Sequence, residues 1–359
     1  MQSFVAEALA KNDELVPNAK IVVVGVGGAG NNSVTRLMDL GIEGAMTVAV
    51  NTDAQHLEVS RAHKKLLIGY NLTRGLGAGG YPEVGREAAE ESRREIKEVL
   101  EDVNLVFITC GLGGGTGTGA TPVIAEIAKG LEAIVVAVVT WPFELEKARM
   151  EKAECGLVEL RKVADTVIVI DNNKLVQYYP DLPLNKAFLT IDTLIATMIK
   201  GITETITRPS LVNLDFADVK AIMKEGEVAV ICTGEASTQN RAEEAVYNAL
   251  SHPLLNVDYK GAKGALVHVV GGPDLTLREV ITIGELVSSE LDPKANVIWG
   301  ARIDEKLNKT IRVMLILTGV KSQQILGPLP RDSKMRKHSY ALPKRKPGIL
   351  KDLDIDYVL

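Results

Sequence analysis

The sequence predicts an α/β protein built on a parallel sheet with a second, smaller α/β domain, and three observations carry that expectation. Six short, largely apolar runs, "KIVVVGV", "MTVAVN", "KLLIG", "NLVFITCG", "AIVVAVVTW" and "DTVIVID", follow one another through the first half of the chain. They do not alternate apolar with polar residues, as strands with one wet face do, so both faces are expected to be covered. Amphipathic stretches such as "EVGREAAEESRREIKEVLE" and "TPVIAEIAKGL" separate them and supply the crossover helices that parallel strands require. Glycine-rich segments follow several of the runs, at the carboxyl ends where open sheets of this kind bind ligands.

Taken in order, residues 1–19 form a short extension expected to be helical, and 20–181 a nucleotide-binding domain. The stretch 182–206, within "LPLNKAFLTIDTLIATMIKGITETIT", is apolar around much of its helical circumference, which suits a helix buried between two bodies. Residues 207–320 hold four further strand candidates, "VAVICTGEA", "GALVHVVGG", "NVIWGARID" and "TIRVMLILTGV", with helices at "NRAEEAVYNALS" and "LREVITIGELVSSEL". From 321 to 359 the chain is charged and punctuated by proline, the composition of a flexible tail.

A chain of 359 residues is long enough for two domains with sizeable cores. Its net charge of −5 argues against nucleic acid as the principal partner, since phosphate backbones demand a concentrated basic excess. Cys110, Cys155 and Cys232 stand apart, without the spacing of a zinc cluster or a disulfide framework, so a reducing cytoplasm is expected. The five histidines are likewise scattered, and no metal site made of protein ligands is expected. The N-terminus lacks the pattern of a signal peptide, and no run approaches the ~20 apolar residues of a membrane span.

The segment "IVVVGVGGAGNN" raises a first functional reading. Gly25, Gly27 and Gly30 satisfy G-x-G-x-x-G, and Asp53 lies 23 positions beyond Gly30, where a ribose-binding acid of a dinucleotide site would stand. A nicotinamide-dependent oxidoreductase is therefore one alternative. "ITCGLGGGTGTGA" then favours another reading. Its six glycines, with Thr116 and Thr118, lie between a strand and a helix and leave the backbone open to a second anion. A third glycine-rich segment, "TRGLGAGGYP", follows another short strand, and three such loops point to a triphosphate. The P-loop pattern is absent.

"GGGTGTG", with "GVGGAGNN", "NTDAQ", "TRGLGAGG" and "NLDFADVK" in order, resembles the FtsZ cell-division GTPases of the tubulin/FtsZ superfamily, over about residues 20–320, and looks most like the archaeal branch. The resemblance implies GTP or GDP with Mg²⁺ as the ligand. It implies a first phosphate loop at Gly27, Gly28, Ala29, Gly30, Asn31 and Asn32, with Asn51 and Asp53 near the phosphates and magnesium. Ala78 and Gly79 would cover the γ-phosphate, and Gly113, Gly114, Gly115, Thr116, Gly117, Thr118 and Gly119 would hold the α- and β-phosphates. Asn172 and Asp192 would read guanine, and Phe188 would stack on it. The family's ribose-contacting Glu and Arg stand four apart, whereas "WPFELEKAR" places Glu146 and Arg149 three apart, so Glu144 is an alternative to Glu146.

Asp215 and Asp218, three apart at the start of a helix, read locally as an N-cap and a first-turn acid. The resemblance makes them catalytic, with Asn213, in the cavity of the next subunit of a head-to-tail filament that builds the division ring. A tubulin-like GTPase of cell-shape control and an NAD-dependent oxidoreductase remain the alternatives. In the tail, residues 331–346 carry seven Lys/Arg against one acid, and "ILKDLDIDYVL" alternates acids with apolar residues. The resemblance makes that ending the docking peptide for a membrane-tethering adaptor similar to SepF, which would recruit a cytoplasmic protein to midcell.

Overall fold

A computed structural model of the chain describes residues 19–322 apart from 179, 182, 209, 213, 225–227, 252–256, 260 and 261. The expected N-terminal helix, the tail from 323 and Asn213 lie outside the described residues.

The first half winds as β1 (Ile21–Val26), α1 (Gly27–Asp39), β2 (Ala45–Asn51), α2 (Ala54–Val59), β3 (Lys64–Leu67), α3 (Tyr70–Thr73), α4 (Pro82–Glu91) and α5 (Arg93–Leu100). It continues with β4 (Leu105–Gly111), α6 (Thr116–Gly130), β5 (Ile134–Trp141), α7 (Lys147–Val163), β6 (Thr166–Asp171) and α8 (Asn173–Tyr178). The six strands form one sheet in the order β3-β2-β1-β4-β5-β6, all pairs parallel. Every residue of β1 and β5 is buried, which is why these runs read as continuously apolar. The order reverses between β1 and β4, so the crevice that a doubly wound sheet offers a ligand opens between the loops that follow those two strands.

The central helix, α9 (Leu184–Thr207), runs 24 residues, about 36 Å at 1.5 Å per residue. Arg36 Nε of α1 donates to Thr193 Oγ1 on it (3.0 Å). After it come α10 (Phe216–Lys224), β7 (Ala229–Ala236), α11 (Arg241–Leu250), β8 (Val257–Asp258), β9 (Gly264–Gly271), α12 (Leu277–Ser289), β10 (Asn296–Ile303), β11 (Ile311–Thr318) and β12 (Lys321–Ser322). Four of these strands make a mixed sheet, β10-β9-β11-β7, in which only β10 and β9 run parallel. The far end of α9 meets that sheet at Thr205. Its hydroxyl donates to Gly201 O (2.8 Å), so the 2.9 Å bond to His268 has the ring Nδ1–H as donor.

Two local departures from the sequence reading have plain causes. The helix expected over "EVGREAAEESRREIKEVLE" is two helices, broken at Ser92, whose hydroxyl accepts the Gly69 amide (3.1 Å) and whose φ and ψ of −100° and 22° leave the helical region. α7 was not anticipated, because "KARMEKAECGLVELRKV" is charged along most of its length and buries only Ala153, Gly156, Leu157 and Leu160.

Candidate nucleotide-binding site

Two glycine loops meet at the crevice. Gly27, at φ +71°, opens α1, and a Cβ on it would stand 2.9 Å from the Gly117 amide nitrogen, so only glycine lets the two backbones approach. Gly30 faces the sheet instead, where a Cβ would run into the carbonyl of Thr109. Its role is close packing of α1 on the strands, and it does not reach the cavity. At Gly115 a Cβ would lie 2.8 Å from the Ala78 methyl and 2.9 Å from the Tyr81 amide, so this loop and the segment 74–81 are fitted together backbone to backbone. α6 starts at Thr116, which aims a 15-residue helix's amino end into the same space.

The resulting cavity, about 790 Å³, is lined by Gly27, Gly28, Ala29 and Asn32 on one side and by Gly114, Gly115, Thr116 and Gly117 on the other. At its far end stand Glu146, Arg149, Asn172, Phe188 and Asp192. Those thirteen residues, named from the sequence, converge from five separate segments. Phe188 is 45% exposed, and its ring meets Phe143 edge-on with centroids 6.0 Å apart. Asn172, just past β6, is buried, and its Oδ1 has no hydrogen-bond partner among the described residues. Asp192 Oδ1 accepts the Ser33 hydroxyl across 2.8 Å. Burial pushes the Asp192 carboxyl up to about 6, against the opposing pull of that bond and of the Arg36 charge. Glu146 pairs with Arg149 at 2.5 Å and accepts the Phe143 amide at 3.1 Å. Glu144 is exposed, gives its amide to Asn173 Oδ1 (2.8 Å), and is not part of the lining.

The other residues named from the sequence do not line the cavity. Asn31 is fully buried. With its amide turned to satisfy both ends, it donates to Gly25 O (2.8 Å) and accepts from Asn51 Nδ2 (3.0 Å). Asn51 Oδ1 in turn accepts the amides of Thr52 (2.9 Å) and Asp53 (3.3 Å), so this pair braces the ends of β1 and β2. Asp53 caps α2 by accepting the His56 amide (3.1 Å). Thr52 and Thr116 share a buried hydroxyl–hydroxyl bond of 2.7 Å that ties the β2 end to the second glycine loop. Ala78 is buried beside Gly115, and Gly79 is exposed at φ +60°. Gly113, at φ +89°, is pressed against Arg149, Gly119 against the Pro82 carbonyl, and Thr118 Oγ1 is buried without a partner.

Asp215 and Asp218 are held by one another. Asp215 Oδ1 accepts the Asp218 amide (2.8 Å) and Asp218 Oδ2 accepts the Asp215 amide (3.1 Å), a reciprocal cap on α10. Neither lines this chain's own cavity. Among the lining residues that the sequence reading did not name are Ser33 and Phe143. Ser33 lies one turn after Ala29 on the same face of α1, a spacing that could have found it, and Phe143 sits in the "PFELEKAR" loop already singled out.

Comparison with known proteins gives this geometry its context. The model of the Tubulin/FtsZ family GTPase domain matches residues 20–180, and that of the FtsZ family C-terminal domain matches 227–321.

The chain belongs to the Tubulin/FtsZ family.

It is 57% identical over 336 residues to Cell division protein FtsZ 2 of Methanocaldococcus jannaschii, covering 91% of this chain and 88% of that one. It is 56% identical over 322 residues to Cell division protein FtsZ 1 of Thermococcus kodakarensis, covering 89% and 86%. The solved structure of an empty FtsZ dimer from M. jannaschii superposes with a TM-score of 0.82 at 51% identity, over 91% of this chain and 99% of that one. The protein is thus a tubulin-like GTPase of cell division that binds guanine nucleotide. Among the described residues no helix is long and apolar enough to cross a membrane, and no three His, Cys, Asp or Glu cluster as a metal site.

Proposed function

We propose that the cavity binds GTP and that hydrolysis is completed by a second copy of the chain. The observation that carries the base assignment is the unpaired, buried Oδ1 of Asn172 in a wall that also holds the Asp192 carboxylate. Two acceptors suit guanine, which offers N–H donors at N1 and at its 2-amino group, and they reject adenine, whose N1 accepts. Phe188 and Phe143 flank the base, Glu146 and Arg149 take the ribose, and the loops 27–32 and 113–119 take the phosphates, with Ala78 and Gly79 over the last of them.

Mg²⁺ accompanies the triphosphate and would supply charge stabilisation of its oxygens. The residues present fit an ion held mainly by phosphate and water. Both functional atoms of the Asn51 amide are already bonded, and Asp53, with one oxygen engaged as a cap, is the carboxylate available beside that loop.

The acids of the cavity lining are Glu146, paired with Arg149, and Asp192, assigned to the base. The group that orients the attacking water is therefore sought outside this chain's own cavity. We assign it to Asp215 and Asp218 of a neighbouring subunit, each of which keeps one oxygen without a partner among the described residues, with Asn213 as a further polar contact. Two carboxylates that position a water and take its proton suffice for phosphoryl transfer, which depends mostly on placement and charge. The M. jannaschii relative was solved as a dimer. A head-to-tail contact that does not close generates a filament.

On this reading 20–181 binds nucleotide, 182–206 is the connecting helix, and 207–320 activates the neighbour's GTP. The C-terminal peptide docks on a SepF-like adaptor that brings cytoplasmic filaments to the membrane at midcell. Turnover per subunit, measured from dilute to concentrated protein, tests the shared site. It should rise steeply with concentration, and a constant value would refute it.

A further inference from the structure

We propose that His56 donates a hydrogen bond from Nε2 to the terminal phosphate and so sets the preference of the site for triphosphate over diphosphate. The inference rests on the reading of the cavity as a guanine nucleotide site. His56 stands in α2, three residues after the Asp53 cap, and its amide is fixed by the Asp53 carboxylate at 3.1 Å. The ring leans toward the first glycine loop. Its Nε2 lies 3.9 Å from the point that a Cβ on Gly28 would occupy, and Gly28 is exposed and lines the cavity. His56 is not itself part of the lining, and it approaches the loop beside Gly28, which carries no side chain to fill the space next to the ring.

Nδ1 is buried and has no hydrogen-bond partner among the described residues. A buried N–H left unpaired costs more than an unpaired lone pair, so the neutral ring is assigned the Nε2–H tautomer. An N–H at that point faces the side of the loop where backbone amides hold an anion.

Strand order identifies which phosphate it meets. Phe143 and Asn172 follow β5 and β6, so the base end lies over that flank of the sheet. The two glycine loops follow β4 and β1, and His56 follows β2, the next strand outward. A nucleotide laid along the carboxyl edge from β6 toward β2 brings its last phosphate to His56.

The test uses the full chain, stripped of nucleotide and kept too dilute to assemble, with GTPγS and GDP as probes. His56→Ala should weaken GTPγS about tenfold, the loss expected for one hydrogen bond to a charged group, and leave GDP affinity unchanged. His56→Gln, which retains an N–H donor, should recover most of the loss. Equal weakening of both nucleotides, or of neither, would overturn the assignment. Should the alanine variant fail to fold, ¹⁵N-histidine spectra of the unmodified protein decide the matter. The His56 Nε2 resonance should move with GTPγS and not with GDP, and an identical response to both would overturn it. Failure of the unmodified protein to bind either nucleotide would instead sink the reading of the cavity.

Discussion

Ser33 gives its hydroxyl proton to Asp192 across 2.8 Å, joining the helix that follows the first strand to the long helix that runs on to the second sheet. The bond opposes burial, which is the larger influence and pushes this acid toward its neutral form.

Guanine affinity should therefore depend on pH near the Asp192 transition. The folded protein raises this carboxyl to about 6, above its unfolded value, so the group costs stability as pH rises from the unfolded value through about 6. On the proposed assignment Asp192 accepts hydrogen bonds from guanine, which requires its carboxylate form. GDP affinity should accordingly climb as pH rises through about 6 and level off above it. Ser33→Ala should move the midpoint upward, and Asp192→Asn should flatten the profile, both read by titration calorimetry between pH 5 and 8.

At Gly115 any side chain collides with Ala78 and Tyr81, and the residue lines the cavity beside the proposed path of the phosphates. Gly115→Val should abolish GTP binding and assembly together, with loss of affinity exceeding ~100-fold, while circular dichroism shows a folded protein. Unchanged affinity would refute the loop's role.

Asp218→Ala removes one half of a reciprocal cap, which costs about 1 kcal/mol, a loss that a domain of this size survives. GTP should remain bound and turnover should fall at least ~100-fold, so that filaments form and persist under sedimentation. A variant that hydrolyses normally would return both acids to a purely capping role.

Deleting 349–359 should leave GTPase activity and polymerisation intact and abolish capture by the adaptor. The basic stretch 331–346 offers a competing route, direct attraction to anionic lipid at about 1 kcal/mol per charge. Raised salt separates the two, because an apolar anchor survives it and lipid attraction does not. A truncated chain still captured by the adaptor would refute the anchoring role.

How far the sequence was legible follows from which residues had a single physical reading. The strands were plain because β1 and β5 are buried along their whole length, and a run such as "AIVVAVVTW" has no other stable placement. The glycine loops were plain because a Cβ at Gly27 or Gly115 meets backbone, a demand that no ordinary turn makes. Ser92 was opaque, since its break of the helix depends on a Gly69 amide 23 positions away. Asn31 and Asn51 were named through the resemblance alone, and the bonds their side chains make to one another and to the strand ends depend on the folded chain, which the local sequence does not show. Asp215 and Asp218 remain double in meaning, because the same spacing caps a helix and can hold a water.

The exclusion of Asp215 and Asp218 from their own chain's cavity has a consequence for counting. In the filament proposed here each junction completes one catalytic centre, so a filament of n subunits contains n − 1 of them. One terminal subunit always carries a nucleotide that nothing can cleave. The intact GTP at that end is independent of filament length, so short filaments are proportionally richer in it than long ones, and the ageing of the polymer is written into its geometry before any regulator acts.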